Sequence, residues 1–96
     1  MANYVTLDYD YLMHQIEEEI RKSIYEIGIA GNEAGINQCV QYANGILEAL
    51  DIMSLAIEGS DDDLNYQKIR KYLNKAKTDV MRENTRAKAK LRGYNV

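Results

Sequence analysis

An all-α fold is predicted by three features of the chain. It contains no proline, so nothing in it forbids long helices. Its apolar residues recur at steps of three and four, the spacing that lines side chains along one face of a helix. The pattern breaks at two polar, glycine-bearing stretches, residues 28–35 and 58–60. These breaks divide the 96 residues into three amphipathic helices, about 7–27, 33–58 and 61–91. Short connections between amphipathic helices imply a three-helix up-down-up bundle, so residues 1–96 are expected to form a single helical domain.

In the first helix Tyr9, Leu12, Met13, Ile16, Ile20, Ile24 and Ile27 fall on one face. Thr6 is suited to the N-cap, with Asp8 and Asp10 in the positive end of the helix dipole. Gly28, Gly31 and Gly35 then offer the left-handed conformation that ends a helix, and Asn32 offers a cap for the next one.

The second helix carries a narrow polar stripe of Asn37, Gln41, Asn44, Glu48 and Asp51. Cys39, Val40, Tyr42, Ala43, Ile46, Leu47, Leu50, Met53 and Ile57 make most of the remaining circumference apolar. An arc this broad belongs to a central helix with neighbours on two sides. Asn44-Gly45 is a hairpin signal, yet the polar stripe passes through it in phase. One helix is therefore expected here, with Gly45 marking a close approach of a neighbouring helix.

The third helix starts at Ser60-Asp61-Asp62-Asp63, a capping-box-like spacing with an acidic first turn. Its buried stripe is Tyr66, Ile69, Leu73, Ala76, Val80, Ala87 and Leu91. At ~1.5 Å per residue it reaches ~45 Å against ~31 Å for the first helix. Its C-terminal end is expected to overhang the bundle or meet another subunit.

Charge is the more telling property. The formal net charge of −3 conceals −11 in residues 1–63 and +8 in residues 64–96. On a helical wheel Lys68, Lys71, Lys75, Arg82 and Arg86 fall within about 60° of one another, pointing away from the buried stripe. Arg70, Lys77 and Lys88 make a second row on one flank. A ridge of this kind calls for solvent counterions, phosphates of a nucleic acid or nucleotide, or an acidic protein surface. A sequence pI near 5.1 weighs against a dedicated nucleic-acid binder. The outward face of the first helix adds Tyr11, His14, Glu18, Lys22 and Tyr25, within about 80° on the wheel. Tyrosine is favoured at binding hot spots because it covers a large area at small entropic cost.

Catalytic chemistry is hard to assemble from this composition. One cysteine and one histidine exclude a disulfide framework and a Cys-rich zinc site. His14 beside Glu17 and Glu18 lacks the further ligands a metal needs, and Cys39 reads as a buried structural thiol. The glycines match neither the dinucleotide fingerprint nor the phosphate loop, while Glu17, Glu18 and Glu19 diverge around the helix. No enzyme activity, cofactor or metal is expected. No apolar run approaches the ~20 residues of a membrane span, and the acidic start lacks the basic residues of a secretory or transit signal. A cytoplasmic location follows.

The expected function is that of a small non-catalytic interaction protein, self-associating as a homo-oligomer, that binds and regulates or inhibits a macromolecular partner. Ile52 and Leu55, in or beside the polar stripe, supply apolar surface for such contacts. The small size and absent catalytic signature suit an accessory factor of the kind phages or mobile elements carry. The alternative is a nucleic-acid or nucleotide binder using the basic ridge.

Overall fold

A computed structural model describes residues 9–57 and 63–93. Three helices, α1 (Tyr9–Ile29), α2 (Glu33–Ile57) and α3 (Asp63–Leu91), account for nearly all of them. Each helix packs against the other two, and no strand occurs among the described residues. The expected caps Thr6 and Ser60 lie outside the described residues, as does the acidic start at Asp61 and Asp62.

The core is the meeting of the three apolar stripes. Ile20 and Ile27 from α1, Ile36, Ala43, Leu47 and Leu50 from α2, and Ile69, Leu73, Ala76, Val80 and Ala87 from α3 are buried. Met13, Ile16, Ile24, Cys39, Val40, Ile46 and Tyr72 pack around them, half-buried. Each fully buried Leu or Ile contributes about 1.5–3 kcal/mol by leaving water, so the stripes are sufficient reason for the bundle. The periodicity marks the right faces but overstates their width. Tyr42 on α2 is 56% exposed and Leu91 on α3 is 45% exposed. Cys39, expected to be buried, is only half-buried at the edge of the core.

Two serines enter the core where the apolar pattern gave no hint of them. Ser23 and Ser54 are 2% and 0% exposed. Ser54 Oγ donates to the Asp51 carbonyl one turn earlier at 2.7 Å, which satisfies the hydroxyl without leaving α2. Arg70 of α3 then spans to α2. Its Nη1 donates to Asp51 Oδ1 and to Ser54 Oγ, the latter at 3.3 Å. One guanidinium thus ties the two helices at the edge of the core, and Asp51 is drawn from the polar stripe into the interface.

The glycines play different parts from those expected. Helix α1 runs through Gly28 to Ile29, and Ala30 N–H bonds the Ile27 carbonyl at 3.4 Å as the helix closes. The only positive φ among the described residues is at Gly93, +84°, just after α3. Left-handed termination therefore belongs to the end of α3 and not to the α1–α2 connection. Asn32 behaves as expected: its Oδ1 accepts the Gly35 N–H at 2.7 Å and caps α2. Close approach is found at Gly28, where an added Cβ would lie 2.8 Å from Glu83 Oε1 of α3. At Gly45 nothing lies within 4 Å of that position. Gly45 is exposed because it stands on the outer side of α2, opposite Ala43 and Leu47.

The C-terminal end of α3 does not overhang. Ala87, Lys90 and Leu91 enclose a hollow with Gly28, Ile29 and Ala30, and Arg92 Nη2 lies 3.8 Å from Glu33 Oε1. The extra length of α3 is absorbed by packing along the α1–α2 connection.

Candidate interaction surface

The ridge on α3 forms because its five cations share a side of the helix that the core does not use. Lys68, Lys71, Lys75, Arg82 and Arg86 are all exposed. The bundle supplies anions to three of them, which tempers the isolation expected from the sequence. Lys68 Nζ lies 3.9 Å from Asp10 Oδ1 of α1, Arg82 Nη1 3.9 Å from Asp79 Oδ1, and Arg86 Nη1 3.7 Å from Glu83 Oε2. These are loose, solvated pairs worth at most about 1 kcal/mol each. Lys71 and Lys75 have no ion-pair partner among the described residues. The flanking row divides: Arg70 turns in to Asp51, Lys77 stays exposed, and Lys88 is half-buried.

The first-helix candidates also divide. Tyr11 and Tyr25 are 64% and 66% exposed on the outer side of α1. Between them Glu18 Oε1 pairs with Arg21 at 2.8 Å and Lys22 with Glu19 Oε1 at 3.7 Å. His14 leaves this group. It lines a groove of about 600 Å³ between α1 and α3, with Asp10 and Glu17 on its own helix and Lys68, Lys71, Tyr72 and Lys75 across from it. The structure therefore brings one α1 candidate, His14, to the three N-terminal lysines of the ridge. Neither Tyr11 nor Tyr25 lines that groove.

Tyr72 forms the wall between this groove and a smaller hollow, about 270 Å³, that continues along the same interface past Arg21 and Asp79. Burial, and then the nearby Glu17 and Asp79 carboxylates, push its hydroxyl up to about 12. At neutral pH Tyr72 keeps its proton. On the other side of α1, Tyr42 Oη donates to Glu19 Oε2 at 3.2 Å, and that hydrogen bond, with the Glu19 charge, raises the Tyr42 pKa.

No group of three or more His, Cys, Asp or Glu side chains among the described residues is placed to hold a metal ion. No helix among them is long and apolar enough to cross a membrane. The sequence reading missed Met81, a ridge-side methionine 53% exposed among Lys77, Arg82 and Arg86. Its signal was present, since Met81 lies outside the 3–4 step of the buried stripe. No protein-family model, curated protein or solved structure matches this chain.

Proposed function

We propose that the protein is a cytoplasmic, non-catalytic helical module that binds a macromolecular partner through the basic ridge of α3. The observation that carries this reading is the ridge itself: five exposed cations on one side of a helix, two of them without an ion-pair partner among the described residues. Between Lys68 and Arg86 they span ~27 Å, taking 1.5 Å per residue, which is the scale of a protein–protein footprint. A bound module covers the acidic surface it docks on, and so regulates or inhibits the partner by excluding other users of that surface.

The helices alternate in direction, up-down-up; the cross-helix pairs Asp51–Arg70 and Glu33–Arg92 support this. Self-association as a homo-oligomer is supported by Ile52 and Leu55, 63% and 57% exposed on α2. Sedimentation analysis tests it, and a monomer at every concentration removes it.

The test of the main reading is affinity purification from the native host with wild type and with the quadruple charge reversal Lys71→Glu, Lys75→Glu, Arg82→Glu, Arg86→Glu. The reading requires that a partner captured by wild type is lost from the variant. Equal recovery of every partner by the two proteins refutes it. A second reading, nucleic-acid binding, is favoured by the linear spacing of the same cations. Its signature is an affinity that falls steeply with salt, and absence of a gel shift on DNA and RNA at low salt removes it.

A further inference from the structure

The outer side of α3 around Met81 differs from the rest of the ridge. Met81, Thr78 and Thr85 form a strip of low polarity, with Lys77 along one edge and Arg82 and Arg86 along the other. Helical geometry sets this arrangement: at ~100° per residue, Lys77 and Arg82 stand about 140° apart with Met81 between them. No carboxylate lines the strip. The two acids of this stretch, Asp79 and Glu83, are half-buried on the side of α3 that faces α1.

Resting on the ridge as the binding face, we infer that this strip receives an acidic amphipathic segment of a partner protein: an apolar side chain on Met81, with carboxylates reaching Lys77 on one edge and Arg82 and Arg86 on the other. Charge complementarity decides the sign of the partner. Lys77 has no ion-pair partner among the described residues, and the guanidiniums of Arg82 and Arg86 hold only loose contacts at 3.9 and 3.7 Å. Their side chains are 74% and 63% exposed, so exchanging those contacts for a partner's carboxylates costs little. Met81 decides the class of partner. An unbranched, polarizable thioether moulds itself to an apolar anchor, whereas a phosphate backbone gains nothing from the centre of this strip. An apolar centre edged by charge is also the anatomy of protein–protein contacts.

The experiment uses fluorescence anisotropy with the full chain and three labelled probes. One is a short helical peptide with a central leucine flanked by glutamates, the second is the same peptide with serine for leucine, and the third is a single-stranded DNA oligonucleotide. Wild type, Met81→Gln and the double variant Arg82→Glu, Arg86→Glu are compared, with circular dichroism checking that each keeps its helices. Glutamine retains helix propensity at an exposed position, so Met81→Gln should fold. The leucine peptide is expected to bind wild type, and to bind about tenfold more weakly when either Met81 or the leucine is replaced. The double charge reversal should remove binding. If the charge reversal removes binding while Met81→Gln and the serine peptide leave it unchanged, the Met81 strip is not the seat and the broader ridge reading survives. Tighter binding of DNA than of the leucine peptide overturns the inference in favour of nucleic acid. Conversion of an oligomer to a monomer by Met81→Gln overturns it in favour of a second copy of the chain. Binding of neither peptide nor DNA overturns both the inference and the ridge reading.

Discussion

Replacing Gly45 by alanine should stabilise the protein. Gly45 sits in the interior of the 25-residue α2, has no positive φ, and leaves open space where a Cβ would go. Glycine in a helix interior is about 0.8–1.0 kcal/mol less favourable than alanine, chiefly because the unfolded chain gains more freedom from it. No neighbouring atom within 4 Å offsets that gain. The expected increase is therefore close to the full propensity difference, about 0.8–1 kcal/mol, which for a domain of this size raises Tm by about 4–8 °C. Thermal unfolding followed by far-ultraviolet circular dichroism reads it directly, and urea unfolding should show a higher midpoint with an unchanged slope. Gly28→Ala provides the contrast. Gly28 is in the last turn of α1, where the propensity gain is at most that of an interior site, and the new methyl must displace the Glu83 carboxylate from 2.8 Å, so its net effect should be smaller. A fall in Tm for Gly45→Ala would refute the reasoning, because it would mean that another surface already packs against that position.

Other predictions follow from the core, from the Arg70 tie and from Tyr72. Leu47→Ala removes a side chain 1% exposed at the centre of the bundle and should cost about 2–5 kcal/mol, measured as a lower urea midpoint; a cost under about 1 kcal/mol would show that the site repacks freely. Asp51 and Arg70 are each 35% exposed, so a double-mutant cycle of Asp51→Ala and Arg70→Ala should give a coupling of about 1 kcal/mol, and additive costs would mean that the pair does not hold α2 to α3. Tyr72, raised to about 12 in the folded protein against an ordinary value of 10.0, favours folding while it is neutral in both states. That stability is complete below the unfolded pKa and lost as the pH rises through the window from 10 to about 12. Spectrophotometric titration of wild type against Tyr72→Phe should show the late-ionising tyrosine disappear, and identical curves would remove the assignment.

The folding class and most of the core were legible because burial enforces a period of 3.6 residues. Ile20, Ile27, Leu47, Leu50, Ile69, Leu73 and Val80 are buried where that period places them. Local signals were legible for the same reason that they are local: Asn32 reaches Gly35 within its own turn. Periodicity gives no account of a buried hydroxyl, so Ser23 and Ser54 escaped it; Ser54 is accommodated by the Asp51 carbonyl of its own helix. It also gives a side chain's angle on its helix without saying what stands opposite. Asp51 and Arg70 therefore looked like solvent-facing charges, although the bundle sets them against each other.

The site followed the same division. By itself the sequence determined that cations gather in the last third of the chain and that Lys68, Lys71, Lys75, Arg82 and Arg86 share one side of a helix, since both depend only on composition and helical geometry. Tertiary structure decided what those cations meet. Packing of α1 against α3 placed Asp10 beside Lys68, put His14 and Tyr72 in one groove with the lysines, and drew Asp79 and Glu83 away from the outer surface. It also decided which glycine is crowded, Gly28 and not Gly45, and left Met81 uncovered between its cations. These outcomes turn on distances between helices, which no spacing along a single helix contains.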